Sequence, residues 1–184
     1  TAFDQALGQA GAAVMTTRLE WMTHAETALR EELAALGEPL EVTLRYRGDA
    51  ALSDPDTWRE RLRESIDRDL RRGQTHVGPH RDELSIGLAG HGLREFGSTG
   101  QQRTAAIALR LLEHATLATR IGAPPALLVD DIFAELDGER QERLAARLQR
   151  LDAQLMVTAP RAEDVPSLLE APRWHVTDGR IQPA

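Results

Sequence analysis

Residues 126–137 read ALLVDDIFAELD. Ala126 to Val129 is a short, continuous apolar run, the pattern of a fully buried strand in a parallel sheet. The run stops on two carboxylates, Asp130 and Asp131. Ligands of open α/β sheets bind beyond the carboxyl ends of the strands. Two charges placed there are costly unless something positive meets them. A magnesium ion does so with one or two carboxylates, phosphate oxygens and water. In that arrangement Asp130 holds the metal and Asp131 orients or deprotonates a water. The alternative is that the pair merely caps the next turn.

The flanking segments extend the pattern. Asp137 to Leu151 is an amphipathic helix with Leu144, Leu148 and Leu151 inward. Gln154 to Thr158 is a second strand, followed by a short helix over 160–170 and a last strand, Trp174 to Thr177, ending in a turn at Asp178-Gly179. Strand and helix alternate, so the fold class is α/β with a parallel sheet. Upstream, Gly100 to Ile121 is a long helix rich in Ala and Leu, stopped by Gly122 and Pro124-Pro125. It is preceded by Phe96-Gly97-Ser98-Thr99 and opens Gly100-Gln101-Gln102-Arg103. Glycines allow close backbone approach, Ser98 is a capping residue, and a helix N-terminus suits an anion. An ordinary capped helix is the plainer reading.

The first third is more helical. Phe3, Leu7, Ala10 and Val14 open a spacing that runs on through Leu36, and Gly37 is the expected stop. Gly8 and Gly11 weaken this helix by about 1 kcal/mol each. Either it packs on its own domain or it forms an arm. Residues 40–47 alternate as a strand does. Asp54-Pro55 starts a helix whose apolar stripe is Trp58, Leu62, Ile66 and Leu70. Arg59, Arg63, Arg71 and Arg72 lie among the arginines around it, either as a solvated face or as a DNA contact. Residues 83–88 and 93–96 flank Ala89-Gly90-His91-Gly92 and read as a hairpin.

Composition narrows the function. The chain has 184 residues, no cysteine, 22 basic and 29 acidic side chains, and a net charge of −7. There is no disulfide framework, thiol nucleophile or cysteine metal site. The net charge argues against a uniformly basic nucleic-acid coat. No run reaches the roughly 20 apolar residues of a membrane span, and the cytosol is the expected compartment. Every basic residue is arginine. A Walker A loop needs a lysine, so this chain contains none. His76 and His80 have a helical metal spacing, but Gly78-Pro79 between them breaks a helix, so no zinc site is expected.

The motifs form an ordered set: Ser98-Thr99-Gly100-Gln101 opening a helix, Leu-Leu-Val-Asp130-Asp131 ending a strand, then Glu135-Leu136-Asp137. This resembles the signature loop, Walker B strand and D-loop of ABC-type ATPases. Gly78-Pro79-His80-Arg81-Asp82, upstream of the GQQR signature and DDxFxELD, narrows the resemblance to the RecF family of bacterial DNA replication and repair proteins. It runs over nearly the whole chain and is most specific between residues 78 and 137.

The resemblance implies the C-terminal part of an ABC-type P-loop ATPase lobe over 78–184, and a helical arm or lobe II-like region over 1–77. It implies ATP and Mg2+ in the complete protein, with Asp130 on the magnesium side and Asp131 as the catalytic carboxylate. Most ABC ATPases carry Glu at the latter position, whereas RecF-like proteins carry Asp. Ser98, Gly100 and Gln101 would meet the γ-phosphate held by a second subunit, and Asp137 would belong to the D-loop. Thr158 stands where many ABC proteins carry a switch histidine. Gly78, His80, Arg81 and Asp82 match the family motif without an assigned role. The implied function is an ATP-dependent homodimeric DNA clamp at single-stranded gaps and junctions, working with RecR and RecO to load RecA. The Walker A loop would then precede Thr1, and this chain alone would bind ATP poorly and not hydrolyse it. Exposed sheet edges and apolar patches would mark where a further part of the lobe packs. A different expectation is a non-enzymatic module that binds DNA or a partner through the arginine-faced helix and the arm. A third, an ABC-type repair ATPase with a longer coiled coil, is disfavoured by the short connection between residues 37 and 78.

Overall fold

The computed structural model describes residues 2–134 and 136–184. They divide into two units: residues up to 31 with 40–98, and residues 32–39 with 99–184. The first unit thus runs on past residue 78 to Ser98. The reason is strand pairing, which ties the segment after residue 78 to the strand before it.

In the first unit, helix α1 spans Ala2–Ala35, its last turn belonging to the second unit. Strand β1 (Val42–Arg47) follows, then a 3-10 turn (Ala50–Ser53) and helix α2 (Pro55–Arg72). Asp54 caps α2 by accepting from the Thr57 N–H at 2.8 Å, Pro55 begins it, and Gly73 ends it with φ +66°. Strand β2 (Glu83–Leu88) runs antiparallel to β1, from Val42 opposite Leu88 to Arg47 opposite Glu83. The two-residue strand β3 (His91–Gly92) returns across a tight turn at Ala89-Gly90, both with positive φ. The second arm of the expected hairpin is not a strand: Leu93–Phe96 is a single helical turn, α3. Only Leu93 of the four is buried, and the Gly97 N–H closes the turn on the Leu93 carbonyl.

The core of this unit is Ala12, Met15, Leu52 and Trp58, with Tyr46, Leu62 and Val77 packed against it. It explains the glycines in α1. A Cβ on Gly11 would lie 2.3 Å from Trp58 Cζ2, and one on Gly8 would lie 3.1 Å from the Pro55 carbonyl. Helix propensity is given up there so that a tryptophan can lie against the backbone of α1. The expected stripe of α2 fades along its length: Trp58 is buried and Leu62 half-buried, but Ile66 and Leu70 are exposed. The inward line turns polar instead, at Ser65 and Asp69, which hydrogen-bond each other at 2.8 Å.

The second unit holds helix α4 (Thr99–Ile121), strand β4 (Leu127–Asp130), helix α5 (Gly138–Gln149) and strand β5 (Leu155–Thr158). β4 and β5 pair in parallel, in register from Leu127 opposite Leu155 to Asp130 opposite Thr158. Helix α4 is buried on more than one side, through Thr104, Ala105, Ile107, Ala108, Leu111 and Leu112. Its His114, also buried, bonds the Pro125 carbonyl at 2.8 Å and so ties the helix to the entry of β4. Leu144 and Leu148 face inward from α5 as expected.

Three expectations need correction. β4 is not fully buried: alternate side chains of β4 and of its partner β5 are exposed, Leu128 by 73% and Met156 by 58%. The segment 160–170 holds only a 3-10 turn at Ala162–Asp164. Strand β6 (Trp174–Thr177) does not extend the parallel sheet. It forms an exposed antiparallel hairpin with β7 (Arg180–Pro183), because closing the two-residue Asp178-Gly179 turn orders far less chain than a crossover.

Candidate active site

Asp130 and Asp131 lie where the sequence placed them, at the carboxyl end of β4. The parallel register sets Asp130 beside Thr158, whose hydroxyl donates to Asp130 Oδ1. Thr158 is thus a neutral partner of the carboxylate at the end of the adjacent strand. Asp131 leaves the strand in the left-handed region, with φ +48°. A non-glycine residue is costly there unless its surroundings hold it. They do so from both sides. The Asp131 N–H donates to the Thr158 carbonyl at 3.1 Å, and the Arg103 guanidinium donates to the Asp131 carbonyl at 2.6 Å. Arg103 lies in the first turns of α4, so the signature helix grips the backbone of the second carboxylate.

The donors at this strand end are oxygens: two adjacent carboxylates and one hydroxyl. Magnesium prefers oxygen ligands and often takes only one or two from protein, the rest from phosphate and water. Among the described residues no group of three or more His, Cys, Asp or Glu side chains forms a cage for a metal. The set therefore fits an ion shared with a phosphate ligand.

Gly100 and Gln101 open α4, and a second network meets them. Gln101 Nε2 donates to Glu38 Oε1 at 3.2 Å, and Arg140 donates to Glu38 Oε2 at 2.9 Å. Arg140 also donates to Asp137 Oδ2 at 2.7 Å, and its backbone N–H to Asp137 Oδ1 at 2.9 Å. The backbone bond, helped by the guanidinium charge, holds the Asp137 carboxyl below its ordinary range. A Cβ on Gly100 would lie 3.5 Å from Arg140 Nη1, so the guanidinium sits directly beside the glycine of the signature. Glu38 is 5% exposed, a depth at which a carboxylate requires partners. Ser98 is exposed and belongs to the first unit. Glu135 lies outside the described residues.

Glu38, Arg103 and Arg140 had no assigned role in the sequence. Arg103 stood inside the signature and Arg140 three residues beyond Asp137, a capping distance. Nothing local marked Glu38, because only the fold buries it.

In the first unit the Gly78–Asp82 motif is mostly architecture. Gly78 has φ +136°, and a Cβ there would lie 2.8 Å from Trp58 Cη2. The Pro79 carbonyl accepts from Arg18 at 2.7 Å. Asp82 accepts from the Tyr46 hydroxyl and, at 3.3 Å, from Arg18. Burial and the nearby Asp82 raise the Tyr46 pKa against the opposing effect of Arg18. His80 Nε2 bonds the Thr75 carbonyl at 2.9 Å. Only the Arg81 side chain has no partner among the described residues. On α2, Arg59 is paired with Asp56 and Arg72 lies 3.4 Å from His76. Arg63 and Arg71 are exposed.

No protein-family model matches the chain. Against curated proteins it is 36% identical to the DNA replication and repair protein RecF of Herpetosiphon aurantiacus, over 99% of this chain and 48% of that protein. It is 35% identical to RecF of Roseiflexus castenholzii, over 99% of this chain and 49% of that protein. The chain spans about half the length of the curated relatives it matches. Among solved structures it is similar to the recombination mediator RecF of the RecFOR pathway. The structure with ATP gives TM-score 0.74 and 25% identity, covering all of this chain and 49% of that one. The structure with an ATP analogue gives TM-score 0.73 and 27% identity. A structure from work on ATP-driven dimerization of SMC ATPases matches at TM-score 0.53 and 15% identity, a likeness of fold alone.

Proposed function

The chain is a relative of the RecF DNA replication and repair proteins, matched over nearly its whole length, and from that premise we propose that it supplies the signature, Walker B and D-loop part of an ATP-dependent dimeric DNA clamp. The observation that carries the reading is the union of two motifs at one point: Arg103 of the signature helix on the backbone of Asp131, beside Asp130 and Thr158.

Asp130 would hold Mg2+, which when bound neutralises charge on the β- and γ-phosphates. Asp131 would orient the attacking water and accept its proton, with its backbone pinned by Arg103 and Thr158. Ser98, Gly100 and Gln101 would present a helix N-terminus to the γ-phosphate held by a second copy. Asp137 would act as the D-loop residue across the same interface. A two-fold dimer closed in this way has two composite sites, so ATP joins the copies and hydrolysis releases them. The clamp would act in the cytoplasm on single-stranded gaps and junctions in DNA, with RecR and RecO as partners in loading RecA. The RecFOR setting of the matched structures supports these partners. No helix among the described residues is long and apolar enough to cross a membrane.

The test uses the longest reading frame that contains this chain. Light scattering with ATP and Mg2+ should show a monomer turning into a dimer. Asp131→Asn should keep the dimer and abolish phosphate release. A protein that stays monomeric with ATP but binds DNA regardless of nucleotide overturns the clamp and supports a non-enzymatic binding module.

A further inference from the structure

Within the Gly78–Asp82 motif, four residues are explained by the fold and Arg81 is not. Its backbone N–H closes a turn on the Gly78 carbonyl at 2.9 Å, while its exposed side chain makes no hydrogen bond or ion pair among the described residues. That side chain lines a solvent-open cavity of about 900 Å³ in the first unit. Arg47, at the end of β1, lines the same cavity, and its side chain likewise makes no hydrogen bond or ion pair among the described residues. The antiparallel register places Arg47 opposite Glu83, two residues from Arg81, so the strand pair holds both at one end of the ladder.

The acids of the cavity wall are already engaged. Asp82 takes Tyr46 and Arg18, and Glu64 lies 3.4 Å from Arg61. Asp49 accepts the Ala51 N–H at the start of the 3-10 turn. Arg68, also on the wall, is 4.0 Å from Asp69, which is itself occupied by Ser65 and His76. Among the described residues, Arg47 and Arg81 are therefore guanidiniums without counter-ions, in a chain whose net charge is −7. A guanidinium is a planar fork of donors matched to phosphate oxygens. A specific pocket for a small phosphate compound is enclosed and mostly apolar. This space is open, and charged side chains are spread through its lining, which suits a polyanion lying across it.

We propose that this cavity binds the sugar–phosphate backbone of a nucleic-acid strand, with Arg47 and Arg81 as its phosphate contacts. The inference rests on reading the chain as a protein that acts on DNA. It places the contact on the β1–β2 end and the motif, rather than on the Arg63 and Arg71 face of α2.

The experiment is fluorescence anisotropy of a labelled single-stranded oligonucleotide over a salt series, with the longest reading frame that contains this chain. Each phosphate contact adds about 0.7 to the slope of log affinity against log salt on single strands. Arg47→Gln with Arg81→Gln should weaken binding roughly tenfold and flatten the slope by about 1.4, with the melting temperature unchanged. Arg63→Gln with Arg71→Gln should leave both nearly as they were. Unaltered affinity and slope in the first variant overturn the proposal. So does a wild-type protein that binds no oligonucleotide at low salt, or one from which pyrophosphate displaces the oligonucleotide at equal phosphate concentration. ATP-dependent dimer formation, followed on the same samples, separates this outcome from the clamp. A dimer with unchanged DNA binding sinks the cavity alone, and DNA binding lost in the variant without any dimer in the wild type sinks the clamp alone.

Discussion

Gln101 and Arg140 hold the two oxygens of one buried carboxylate, Glu38. Through Arg140 that carboxylate also reaches Asp137. The first turn of the signature helix and Asp137 are thereby tied to a single acid three residues beyond α1, a position that neither motif contains.

Removing the arginine should expose that dependence. Arg140→Met leaves Glu38 buried with one partner fewer, and breaking a buried ion pair from one side costs about 3 kcal/mol. Glu38→Gln keeps an acceptor for Arg140 and a group near Gln101, and should cost less than half as much. Urea unfolding of both variants checks the order. Equal, small losses would mean that the network is dispensable.

The glycines of α1 make a steric prediction. Gly11→Ala gains about 1 kcal/mol of helix propensity but forces a methyl into the Trp58 ring, an overpacking that costs about 3 kcal/mol. The net result is a loss of about 2 kcal/mol. Gly138→Ala, where an added Cβ meets nothing within 4 Å, should be neutral or slightly stabilising. The two denaturation midpoints should therefore move in opposite directions.

The left-handed backbone of Asp131 makes another. Asp131→Gly removes the strain at φ +48° and should raise stability by about 1 kcal/mol, although it deletes the proposed catalytic group. Asp131→Ala keeps the strain without a side chain that tolerates it and should not stabilise. If glycine and alanine melt alike, the neighbouring bonds from Arg103 and Thr158 hold this backbone without strain.

Acid sensitivity follows from three lowered carboxyl pKa values. Asp137 is lowered by its bonds from Arg140, and Asp54 by the Thr57 hydroxyl and N–H. Desolvation pushes Asp69 up, but the Ser65 hydroxyl and His76 outweigh it. A carboxyl whose folded pKa lies below the unfolded value, near 4, adds stability that is complete above that value and lost as pH falls through the folded one. The melting temperature should be flat from pH 6 to about 5 and decline below about 4. Asp137→Asn should make that decline shallower.

The elements legible in the sequence are those with their own local cause. Asp54-Pro55 and Gly73 bound α2 chemically. The apolar runs at 127–129 and 155–157 read as strands of one parallel sheet, and they pair in parallel. Hidden features depended on distant chain. The exposure of Leu128 depends on what covers the sheet face, not on the run that contains it. Leu93–Phe96 follows a turn and is expected to pair, yet its Leu-Arg-Glu-Phe order does not alternate and only Leu93 is buried, so it coils into a helical turn. Of the candidate site, Asp130 and Asp131 could be named from the apolar run that they end, and Gln101 and Asp137 from the family resemblance. The bonds of Glu38 to Gln101 and Arg140, and of Arg103 to Asp131, could not, since they span 28 to 102 residues; only Arg140, beside Asp137, had a local sign.

Leu128 and Met156, side by side and outward on β4 and β5, give this chain by itself a sticky flank whose effect is colloidal. At low ionic strength the net charge of −7 keeps copies apart. Added salt screens that repulsion within about 10 Å at 0.1 M and leaves the apolar flank free to meet its like. For this chain by itself, raising salt to loosen DNA would therefore also drive clumping, and turbidity followed alongside anisotropy keeps one loss of signal from being read as the other.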